Sequence, residues 1–80
     1  MDIRAFKAFT AAALAVTDEL GLHREAVMVS LDETPEGEVR LRSENRIEIL
    51  PPSGDPEAFL AALGTRLGAL DLSRVRRSDP

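Results

Sequence analysis

The chain predicts a two-layer α+β domain of order α-β-β-β-α, with a three-stranded antiparallel meander carrying both helices on one face. Three observations predict it. Apolar residues recur at three- and four-residue steps between Ile3 and Leu20 and again between Phe59 and Leu70. The middle of the chain holds "AVMVSL", "EVRLR" and "RIEIL", runs that are β-branched or alternate in polarity. Proline and glycine interrupt the chain at "DETPEG" and "PPSG".

The first helix spans residues 3–20. Phe6, Phe9, Ala13, Val16 and Leu20 share one face. Asp2 stands where an N-cap belongs, and Gly21 where a left-handed C-terminal residue belongs. Leu22 is then placed to fold back on Val16 or Thr17. Ala5, Ala8, Ala12 and Ala15 make a second, small-residue stripe, and Ala11 and Leu14 fall where solvent is expected. A helix apolar on most sides is expected to be covered on most sides.

"AVMVSL", residues 26–31, reads as the first strand. "DETPEG" reads as a turn, with Pro35 at the first central position and Gly37 free to take positive φ. "EVRLR" and "RIEIL" read as a hairpin with Val39, Leu41, Ile47 and Ile49 on one face. A two-residue loop at Glu44-Asn45 sets Leu41 opposite Glu48 and mixes the faces. A three-residue loop, Ser43-Glu44-Asn45, sets Leu41 opposite Ile47, Val39 opposite Ile49 and Arg40 opposite Glu48. Such loops end in a left-handed residue, which Asn45 tolerates, so the second register is preferred. The first and third strands are expected at the sheet edges. Arg46 and Glu48 guard the third, whereas uncharged "AVMVSL" is the better docking edge.

After "PPSG", Asp55 caps a second helix with Pro56 at its first position and Glu57 in its first turn. It runs to about Leu70. Phe59, Leu60, Leu63, Leu67 and Leu70 form its apolar stripe, with Ala61, Gly64, Thr65 and Gly68 beside it. Glycine inside a helix costs about 1 kcal/mol against alanine. Two of them imply a return, and the expected one is close approach of the two helices, Gly64 and Gly68 against the Ala5/Ala8/Ala12/Ala15 stripe. The alternative is contact with the same stripe of a second copy. A membrane role for G-x-x-x-G does not fit, because the helix is short and carries Arg66.

Residues 1–72 form a single compact domain. Residues 73–80 are a short basic tail that either adds a last turn through Leu72 and Val75 or is disordered. A domain this size buries only roughly 60–65% of its unfolded surface. With Cys 0 and His 1, neither disulfides nor a structural zinc site can compensate. Stability must come from helix packing or from burial against another chain. Absence of cysteine fits a reducing cytoplasm. "AAALAV" lacks the length of a membrane span and any cleavage pattern, and reads as part of the fold. Nine of the ten basic residues are arginine, a bias that points to a GC-rich bacterial genome.

The chemistry of the side chains is sparse. His23 follows a helix end, but no serine or threonine stands in a spacing that makes it a catalytic base. A substrate pocket is hard to carve from so small a core, so neither an enzyme nor a cofactor is expected. Asp32, Glu36 and Gly37 touch on a calcium-loop pattern, which fails at Ser43 and is stiffened by Pro35, so no metal is expected. "PPSGDP" lacks a lysine, and Asp55 and Glu57 repel anions from that helix start.

The net charge of −4 argues against general binding of nucleic acid or anionic membranes. Arg40, Arg42 and Arg46 nevertheless mark the outward sheet face, and Arg74, Arg76 and Arg77 mark the tail. No phenylalanine lies on a strand to stack a base. The expected function is therefore a non-enzymatic protein-interaction module that homodimerises in the cytoplasm, as adaptor, chaperone-like subunit or small inhibitor. Ala11, Leu14, Gly64 and Gly68 are the candidates for self-association, and Arg40, Arg42 and Arg46 for a protein partner. The alternative is a nucleic-acid-associated protein using the arginine face and tail. Small nucleoid-associated proteins share the order of elements, but no motif accompanies that likeness.

Overall fold

The computed structural model describes residues 2–78. Helix α1 spans Ile3–Glu19, strands β1, β2 and β3 span Val27–Val29, Glu38–Arg42 and Arg46–Leu50, and helix α2 spans Pro56–Gly68. Local chemistry sets the helix ends. The Asp2 carboxylate accepts from the Ala5 N–H, and the Asp55 carboxylate accepts from the Glu57 N–H. At the far end of α1, Gly21 takes φ +76°. The Gly21 N–H then donates to Asp18 O at 3.0 Å and the Leu22 N–H to Thr17 O at 3.1 Å, the paired bonds of a Schellman ending. Leu22 is thereby delivered, fully buried, into the core.

The sheet is mixed, which corrects the antiparallel meander. β2 and β3 form the expected hairpin, with Leu41 opposite Ile47, Val39 opposite Ile49 and Arg40 opposite Glu48. Its loop carries two left-handed residues, Asn45 as expected and Glu44 beside it. β1, however, runs parallel to β3, and the strand order is β1-β3-β2. β3 is therefore central and β2 is an edge, also contrary to expectation.

The reason lies in residues 30–37, a connection longer than the roughly two to five residues of a hairpin loop. It crosses the exit of β3 and is tied there. The Thr34 N–H donates to Pro51 O at 3.1 Å, and the Ser53 N–H donates to Thr34 O at 2.8 Å. The centre of the sheet also goes to the strand with most to bury, since Ile47 and Ile49 are fully enclosed.

The core gathers Phe9, Ala13, Leu22, Ala26, Ile47, Ile49, Phe59, Leu63, Leu67 and Val75. The two helices meet through large side chains, with the Phe9 and Phe59 rings 5.8 Å apart. This corrects the expected backbone approach. A Cβ at Gly64 or Gly68 would meet nothing within 4 Å, and Ala5, Ala8 and Ala15 are exposed. Burying two aromatic rings and leucines removes far more apolar surface from water than a strip of glycine and alanine would. The larger stripe takes the contact and the smaller one is left outside.

Residues 72–78 return to the start of the molecule. Val75 is 4% exposed, in the core. The His23 N–H donates to Arg76 O at 2.9 Å and the Ser78 N–H to Gly21 O at 2.8 Å. The Arg77 guanidinium donates to Leu20 O at 2.9 Å, neutralising a carbonyl at the C-terminal end of α1. Asp79 and Pro80, which belong to the same tail, lie outside the described residues.

Candidate functional site

The outer flank of α1 carries a shallow groove of about 370 Å³, lined by Phe6, Lys7, Thr10, Ala11, Leu14 and Arg24. Helical spacing makes it: Phe6, Thr10 and Leu14 follow at four-residue steps, with Lys7 and Ala11 alongside. Ala11 is exposed and Leu14 half-buried, so two of the residues expected at an interface lie together. Ile3, 76% exposed, continues the flank toward the helix start. Apart from the charged Lys7 and Arg24, the lining is apolar with one exception, the Thr10 hydroxyl, which is buried and has no hydrogen-bond partner among the described residues. Such a group carries a desolvation cost until something satisfies it.

Arg24 forms the rim just ahead of β1. Its guanidinium reaches the Asp18 carboxylate at 2.9 and 3.4 Å. Hydrogen bonding from Arg24, reinforced by its charge, holds the Asp18 carboxyl below the usual carboxylate range. The same pair pushes the Arg24 guanidinium up. Both side chains are well solvated, so the pair fixes the rim more than it stabilises the fold.

The other expected interface residues lie elsewhere. Gly64 is half-buried and Gly68 exposed on α2, and neither lines the groove. Arg40, Arg42 and Arg46 share the outer sheet face but differ in their partners. Arg40 pairs with Glu38, and Arg42 reaches Glu48 at 3.2 Å. Arg46 has no ion-pair partner among the described residues. It instead lines a second cleft, of about 220 Å³, with Glu25, Ala26, Glu44, Asn45, Arg74 and Arg76. The structure thus brings one sheet arginine and two tail arginines together. Sequence separation hid this, because only the docking of Val75 and Arg76 onto the His23 turn carries the tail to that end of β3.

His23 is a structural residue here. Its Nδ1 accepts from the Glu25 N–H at 3.1 Å, capping the turn at Arg24–Ala26. Among the described residues no group of three or more His, Cys, Asp or Glu side chains is placed to hold a metal ion. No described helix is long and apolar enough to cross a membrane. No family profile, curated protein or solved structure matches this chain.

Proposed function

We propose that this chain is a homodimerising protein-interaction domain, and that the outer flank of α1 packs antiparallel against the same flank of a second copy. The observation that carries it is the seam Arg4-Lys7-Ala11-Leu14-Asp18, which repeats at alternating three- and four-residue steps outside the core. The seam is basic at its start, apolar in the middle and acidic at its end, where Glu19 adds a further carboxylate. That order opposes the helix dipole, which favours acids in the first turn and bases in the last. α1 has no acid in its first turn and no base in its last.

An antiparallel two-fold partner turns the same order into complementarity. Arg4 and Asp18 are equidistant from Ala11, so a two-fold axis at Ala11 sets Arg4 of one copy opposite Asp18 of the other, where it joins the Arg24–Asp18 pair, and sets Lys7 opposite Ala15, one turn from that carboxylate. The Ala8, Ala11 and Ala15 side chains let two helices approach, and Leu14 fills the groove between Phe6 and Thr10 of the facing copy. Gly64 and Gly68 offer a second open strip, on α2.

The chain has no cysteine, which makes the arrangement directly testable. Ala11→Cys is expected to form a disulfide-linked dimer under mild oxidation, since residues at a two-fold axis come within the roughly 4.4–6.8 Å between Cα atoms that a bridge requires. Gly68→Cys reports on the second strip. Absence of cross-linking at position 11 removes the proposal.

A further inference from the structure

The geometry points to a phosphate-binding site in the cleft between the start of β3 and the C-terminal segment, with Arg46, Arg74 and Arg76 as its cationic ligands. This is independent of the α1 surface. Three guanidinium groups from two distant parts of the chain line one cleft of about 220 Å³. The Arg46 and Arg74 side chains make no ion pair or hydrogen bond with any described residue, and the Asn45 side-chain amide, also on the cleft wall, likewise lacks a partner there. Arg76 is held at 3.0 Å by Glu25, a contact in which both side chains are mostly exposed, so an incoming anion can replace it.

The arginines are placed at a cost. Arg46 sits directly opposite Arg42 in the hairpin, and like charges in that position are unfavourable. Glu48 pairs with Arg42, whereas Arg46 has no ion-pair partner among the described residues. A position that breaks the pairing rule without local compensation suggests a ligand that supplies it. The frame is also rigid. Val75 is anchored in the core between Arg74 and Arg76, and the Arg76 carbonyl accepts from the His23 N–H, so little ordering is needed on binding.

Arginine forks match the oxygens of a phosphate, which can take bidentate bonds from two of them at once. Glu25 and Glu44 also line the cleft, leaving three positive against two negative groups. This balance suits one phosphate group rather than a long polyanion track. The phosphate can come from a small phosphorylated molecule or from a nucleic-acid backbone, and the titration distinguishes the two.

The test is a titration of the whole isotopically labelled chain, followed by amide NMR, with inorganic phosphate, with a nucleoside monophosphate and with a single-stranded oligonucleotide. Saturable shifts confined to the Asn45–Arg46 and Arg74–Arg76 segments are expected by about 10 mM phosphate, the range of a weak single-anion site. Affinity for the oligonucleotide that exceeds the phosphate affinity tenfold, with a salt slope of about −0.7 per contact, assigns the source to nucleic acid. Equal or weaker affinity assigns it to small molecules.

Arg46→Gln with Arg74→Gln is expected to abolish the shifts while leaving the fold intact, because neither side chain holds another residue. Glu44→Gln is expected to tighten binding several-fold, an effect that a purely structural role for the loop would not produce. No shift at that phosphate concentration overturns the proposal. So do shifts that survive the double substitution, or an unchanged affinity in Glu44→Gln.

Discussion

A Cβ at Gly37 would lie 2.5 Å from the Phe59 ring, and Gly37 already has φ +77°. The Arg66 guanidinium lies over the Phe59 ring, 5.0 Å from its centroid, and donates to Gly37 O at 3.3 Å. One glycine, one ring and one arginine thus clamp the loop before β2 onto α2. Gly37→Ala combines left-handed strain with a clash and is expected to cost at least about 2 kcal/mol in denaturant unfolding. Gly64 and Gly68 are the opposite case. A methyl group at either meets open space, so Gly64→Ala and Gly68→Ala are each expected to stabilise the chain by about 0.5–1 kcal/mol. The Asp18 carboxyl, lowered by Arg24, titrates at lower pH in the folded than in the denatured chain. Its contribution is present above the ordinary carboxylate range and disappears as pH falls through the lowered value. Arg24→Gln is expected to erase that difference in an NMR titration of the carboxyl.

At the scale of elements, the C-terminal segment behaves as part of the domain. It contributes Val75 to the core and closes backbone bonds to Gly21 and His23. Val75→Ala is expected to cost about 2 kcal/mol, read from the denaturant midpoint, whereas a disordered tail would leave the midpoint unmoved. Both helices and the β2–β3 hairpin were legible in the sequence because their determinants are local. Asp2, Gly21, Asp55 and Asn45 each act within a few residues of themselves. The position of β1 was not, since parallel pairing with β3 depends on how residues 30–37 cross the sheet. The length of that connection was the available signal. Small-residue stripes misled for a related reason: periodicity marks a stripe but not which stripe wins the core, and Phe9, Phe59, Leu63 and Leu67 outweigh glycine and alanine there. Of the residues expected at an interface, Ala11 and Leu14 could be placed together from spacing alone. The meeting of Arg46 with Arg74 and Arg76 could not, because it follows from the docked tail.

For the whole molecule, the Cα radius of gyration is 11.9 Å, close to the roughly 12 Å of a closed domain of this length. The single chain therefore completes its own core, and the self-association we propose draws on what is left over on α1 and is not needed to finish the fold. Leu14→Asp is accordingly expected to keep the far-UV helical signal of the parent chain while abolishing the dimer. Exchanging the charges at both ends of the seam, Arg4→Glu and Lys7→Glu with Asp18→Lys and Glu19→Lys, is expected to restore pairing that the first two substitutions alone weaken. Light scattering over a dilution series tests the central claim most directly. The parent chain is predicted to move from its 8.7 kDa mass toward twice that value with rising concentration, while Leu14→Asp stays at 8.7 kDa throughout. A parent chain that remains at the single-chain mass up to about 100 μM, where an association with a Kd near 1 μM would be nearly complete, contradicts it.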